Sequence, residues 1–172
     1  MIRSDRYPFL KYGSYALLML ALFVLQSTRG TAIHLWGASV NGIPFFVAAV
    51  ALLDGPYAGG AIGFFGGVLL SLNSAGLEGF SSLSLSLFGI CFGLFGAYYL
   101  RPVILSALSG GFLCMVLESL FRYVFHDLLI YNMHLLEALR AFGLELVLSL
   151  PAGALAFVCI RAIHRRFTEE TT

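Results

Sequence analysis

Four ionisable residues stand inside stretches otherwise built from apolar side chains: Asp54 in "LLDGPY", Glu118 and Arg122 in "VLESLFR", and Glu145 in "LELVL". A charge at the centre of a bilayer costs about 2.5–3.5 kcal/mol on insertion scales. Such residues therefore face a bundle interior, a partner or water. Glu118 and Arg122 are one helical repeat apart, share a face and can pair. Arg122 and Glu145 stand near the ends of their apolar runs, where an extended stem reaches water. Glu118 lies deeper and is the stronger functional candidate. Asp54 precedes Gly55-Pro56. Proline disfavours helix at the residue before it, so one helix ends there and another begins. An acid at that break is placed to accept from the free N–H groups of the next helix. A proton or ion site is the alternative for Asp54.

Other chemistry is thinly represented. His34, His126, His134 and His164 fall between or at the ends of the apolar runs, with no His-Glu-x-x-His spacing. No serine sits in a nucleophile elbow. Cys91, Cys114 and Cys159 match no metal or disulfide spacing and read as small buried hydrophobes. The expectation is a non-enzymatic protein without cofactor or metal.

The elements that carry these residues are membrane helices. Of 172 residues 59% are hydrophobic and 11% charged, with mean hydropathy +0.91. A water-soluble domain carries about 25% charged residues. Net charge is +1, which supplies no basic footprint for nucleic acid. Six apolar segments are expected: 12–26, 43–53, 57–72, 83–100, 103–125 and 139–163. The start "MIRSDRYPFLK" before the first run resembles a signal peptide, but no small-x-small cleavage site follows, so an uncleaved span is expected. The second segment is short, and Pro44 suits its first turn. Segments two and three could fuse into one kinked span, giving five crossings. Charge placement favours six. Arg3, Arg6, Lys11, Arg101, Arg161, Arg165 and Arg166 then share one side, against Arg29, Arg122 and Arg140 on the other. The positive-inside rule puts both termini in the cytoplasm. The short second helix must be shielded by neighbours or sit where the bilayer thins.

Gly55, Gly59, Gly63 and Gly67 recur every four residues, and Gly89 and Gly93 repeat the spacing. On a helix this makes a bare strip that lets a neighbour approach closely. No strand or Lys-Ser/Thr accompanies it, which sets a phosphate loop aside. The strip is expected to serve mostly internal packing, with partner binding as the alternative. The segment 126–138, "HDLLIYNMHLLEA", reads as an interfacial helix or a helix end.

In order and spacing these pieces resemble the MreD family of bacterial rod shape-determining membrane proteins. The likeness rests on Gln26-Ser27-Thr28 closing the first span, the Gly55-Pro56-x-x-Gly59 turn, Gly63-Phe64 and Gly67, Gly79 before the fourth span, Glu118 in "VLESL", and the end "LSLPAGALAFVCIRAIHRRF". Ser71 stands where the family often has an acid. The resemblance implies an all-α, six-transmembrane-helix bundle, similar to the substrate-binding subunits of energy-coupling-factor transporters. It implies a scaffold in the bacterial inner membrane that binds MreC and, through it, the MreB filament and the RodA–transpeptidase pair that builds lateral peptidoglycan. The alternative is a vitamin-binding transporter subunit, with Trp36, Asp54, Glu118, Arg122 and Glu145 as pocket residues.

Overall fold

The structure is a computed structural model, and it describes residues 6–27, 41–73, 79–99, 103–122 and 135–169. Among the described residues the chain is all-α. Six helices follow one another: α1 Arg6–Ser27, α2 Ile43–Asp54, α3 Pro56–Asn73, α4 Phe80–Tyr99, α5 Ile104–Arg122 and α6 Leu135–Glu169. Two stretches, Phe80–Tyr98 and Phe142–Arg166, are long and apolar enough to cross a membrane by length and composition. Ile43–Asp54, Pro56–Leu72 and Ile104–Leu120 are apolar but shorter.

The short helix is the centre of the bundle. Every residue of α2 from Ile43 to Ala51 is buried. It packs on α3, α4, α5 and α6, and more lightly on α1. A helix that is apolar all round needs a partner on every side, and α2 has one. At 12 residues it is about 18 Å long, well short of a hydrocarbon core. Neighbouring helices shield it.

Residues 43–73 form two helices, not one kinked rod. Gly55 breaks the chain with φ 88°, a left-handed angle that costs any residue with a Cβ. Past that break α3 folds back along α2. Gly59 lies beside Ala51, and Gly66 lies beside Ile43. Those two pairings keep one antiparallel register along the full length of α2.

α3 and α4 form the most extensive helix pair, also antiparallel. Gly67 meets Ser81 and Ser82, Gly63 meets Leu85 and Ser86, Gly59 meets Gly89, and Pro56 meets Gly93. At each of these glycines a Cβ would come within 3.0 Å of the facing backbone. Glycine therefore sets the distance between the two helices. Elsewhere it opens sockets for rings. Phe45 on α2 fills a hollow between Gly111 on α5 and Gly153 on α6, and Phe92 on α4 sits against Gly110.

The outside is as apolar as the inside. Leu17, Leu72, Leu83, Leu87, Leu105, Val147 and Leu155 are all exposed. Cys91 and Cys159 face outward too, and only Cys114 is buried. This corrects the expectation that all three cysteines are interior. Both outward thiols sit on helical faces that point away from the core, a rotation that an apolar run cannot specify.

Candidate functional site

The four acids and bases of the apolar runs do not form one site. They fall at opposite ends of α2.

At one end the last residue of α2, Asp54, is nearly enclosed, with 6% of its side chain exposed. Its Oδ1 takes the ammonium of Lys11 from α1. The same oxygen lies 2.9 Å from His164 Nδ1 on α6. Lys11 Nζ is also 3.2 Å from that imidazole nitrogen. A nitrogen that donates to Asp54 has no lone pair for Lys11, so the tautomer decides which contact is a hydrogen bond. Lys11 further lies 6.0 Å from the centroid of the Tyr15 ring, near the outer limit for a cation–π contact. Tyr12 meets Tyr15 edge to face at 6.5 Å. The Tyr15 hydroxyl faces the Asp54 carboxylate. It falls outside hydrogen-bond geometry, so among the described residues it and Asp54 Oδ2 are buried polar atoms without a partner.

The carboxylate was expected to accept from the opening N–H groups of α3. Instead it turns to α1 and α6. Gly55 takes the capping place, its carbonyl accepting from Gly59 N at 3.0 Å. The physical reason is charge. An ammonium and an imidazole offer a buried carboxylate stronger, charge-assisted bonds than neutral amides do. Lys11 and His164 were missed as site residues. The single cue in the sequence was a lysine one residue before an apolar run opens.

At the other end, Glu118 and Ser119 on α5 and Phe142 and Glu145 on α6 line a cavity of about 20 Å³ with Asn41 and Met115. Glu145 is buried and Glu118 half-buried. Asn41 N donates to the fully buried Ser149 Oγ at 2.8 Å, which ties the start of α2 to α6. Among the described residues Asn41 Oδ1 is buried without a partner. The volume suffices for about one water. Arg122 ends α5, but its side chain lies outside the described residues, as do Trp36 and 126–134. Residues 135–138 of the interfacial segment belong to α6.

The glycines divide by role. Gly59, Gly63 and Gly67 face α4, Gly89 and Gly93 face α3, and Gly55 serves the turn with open space around it. Ser71, where an acid was of interest, donates back to Gly67 O at 2.9 Å within its own helix. On the outward side of the α3–α4 pair a groove of about 610 Å³ runs between Tyr57, Phe64, Ile90 and Leu94, with Gly60 and Ser86 among its lining.

Among the described residues no group of three or more His, Cys, Asp or Glu side chains could hold a metal ion. Comparison with protein-family models, with curated proteins and with solved structures returns no match.

Proposed function

We propose that this chain is a polytopic inner-membrane scaffold of the MreD type, crossing the bilayer six times with both termini in the cytoplasm. Its task is to bind an MreC-like membrane protein and help position the lateral peptidoglycan machinery through MreB and the RodA–transpeptidase pair. One observation carries the proposal. One part of the resemblance, the Gly55-Pro56-x-x-Gly59 turn with Gly63 and Gly67, falls in a single unit, the α2–α3–α4 core.

Two further observations support the membrane part. Large apolar side chains cover the outside of α1, α3, α4, α5 and α6, which suits lipid and not water. The Lys11–Asp54–His164 cluster brings the start of α1, the α2–α3 turn and the end of α6 to one end of the bundle. That arrangement fits an even number of crossings.

Because α4 already occupies the glycine strip, we assign the partner surface elsewhere. The outward groove on α3 and α4 suits one transmembrane helix of the MreC-like protein. Gly60, Ala61 and Ser86 in its lining allow close approach in lipid. Ala61→Trp fills the groove from an exposed position. The expected result is rounded cells and loss of MreC co-purification at normal protein level. Rod shape with intact co-purification refutes the docking. A vitamin-binding subunit calls for a pocket of about 300–1,000 Å³ that encloses its ligand. The cavity at Glu118 and Glu145 is far smaller, and the large groove is open and apolar.

A further inference from the structure

We infer that the exposed arginines at the end of α6 hold the headgroup of an anionic phospholipid in the cytoplasmic leaflet. The inference rests on the six-span membrane reading above.

The outward strip of α6 carries it. Pro151, Leu155, Val158 and Ala162 recur at helical spacing and are all exposed, while Gly153, Ala156, Phe157 and Ile160 turn inward. Within about two turns of Val158 the strip changes character. Arg161, Arg165 and Arg166 are exposed there, the last two on either side of the line through Ala162. A ligand lying along this strip is apolar along its length and anionic at one end. That is the chemistry of a phospholipid: acyl chain against Leu155 and Val158, phosphate against the guanidinium forks.

Helix length puts the change at the right depth. α6 has 35 residues, about 52 Å, against a hydrocarbon core of about 30 Å. It must project beyond the core, and the arginines mark the level where it leaves. Among the residues described with side chains, the other basic groups of this end, Lys11 and His164, both turn inward to Asp54. Glu169 follows Arg165 by one helical repeat and competes for it through spacing alone. In sequence Glu169 and Glu170 also stand three and four positions after Arg166, whereas Arg161 has no acid three or four positions away on either side.

Each basic side chain beside an anionic leaflet is worth about a fivefold change in affinity. The test uses the full chain, delipidated in detergent, titrated by native mass spectrometry with phosphatidylglycerol and phosphatidylcholine of identical acyl chains. The expected result is phosphatidylglycerol binding at least about fivefold tighter. The triple variant Arg161→Gln, Arg165→Gln, Arg166→Gln should bring the ratio to about one. Arg140→Gln, exposed toward the opposite end of α6, should leave it unchanged. If the triple variant does not fold, the three single variants should each lower the ratio. Equal affinities in the wild type, or a preference that survives the triple substitution, overturn the inference. Glycerol phosphate or a polyglutamate peptide that binds as tightly as phosphatidylglycerol overturns it in favour of a free phosphate or an acidic protein segment. Accessibility of tags at the two termini separates this failure from that of the membrane reading. Tags on opposite sides sink both. Tags together on the cytoplasmic side, with no lipid preference, sink this inference alone.

Discussion

Replacing Gly67 by alanine adds one carbon to the tightest part of the α3–α4 contact. That carbon would lie 2.5 Å from Ser81 O and 2.6 Å from Ser82 N, where ordinary contact begins at 3.4 Å. The obstacle is backbone on a helix held by its own hydrogen bonds, so α4 must retreat by roughly 1 Å at this level. Overpacking of this kind costs about 1–3 kcal/mol. Alanine also favours helix over glycine by about 1 kcal/mol, which offsets part of the cost. Gly13 and Gly143 supply the control, because both are helical and have nothing within 4 Å of an added Cβ. Gly13→Ala and Gly143→Ala should stabilise by about 0.5–1 kcal/mol. The difference between Gly67→Ala and the controls isolates the overpacking, about 1–3 kcal/mol. Gly63→Ala, facing Leu85 and Ser86 backbone, should behave like Gly67→Ala. Gly110→Ala should cost less, because its obstacle is the Phe92 ring, which can swing. Reversible unfolding in mixed micelles reads these differences, supported by thermal midpoints that move about 2–4 °C per kcal/mol. If Gly67→Ala and Gly13→Ala shift stability alike, α3 and α4 do not approach backbone to backbone, and the account of the glycine strip is wrong.

Three other expectations follow from the same geometry. Asp54→Asn leaves Lys11 and His164 facing a neutral amide and should destabilise by about 1–3 kcal/mol, with Lys11→Met in the same background adding less than it does alone. Additive losses in that double-mutant cycle would show that the two side chains do not interact. Phe45→Ala empties the hollow between Gly111 and Gly153 and should cost about 3–5 kcal/mol in the same unfolding assay, whereas Leu87→Ala, on an exposed face, should stay within about 0.5 kcal/mol. Cys91 and Cys159 should react with a small neutral maleimide in the folded, detergent-solubilised protein at pH above about 8 while Cys114 stays protected until unfolding; equal labelling of all three would contradict the helix rotations.

The helices themselves were legible in the sequence. An apolar run bounded by charge or by Gly-Pro has few alternatives to a helix in lipid, because the backbone must satisfy its own hydrogen bonds. Each expected apolar segment overlaps one of α1–α6, with α1 beginning six residues before its segment and α6 ending six residues after. Four-residue glycine spacing announced a packing face for the same local reason. Which helix would occupy that face was not legible, since any neighbour satisfies a bare strip. The enclosure of α2 was legible as one of two alternatives, shielding by neighbours or a thinner bilayer; which helices supply the shield was not. The site depended on tertiary structure most of all. Asp54 meets a lysine 43 positions earlier and a histidine 110 positions later. Glu118 and Glu145, on two helices, line one cavity at the far end. Periodicity fixes only which residues of one helix share a face; who stands opposite depends on helix rotation and antiparallel register. Burying α2 on every side and threading glycine against backbone set both, and only the assembled bundle satisfies those demands together.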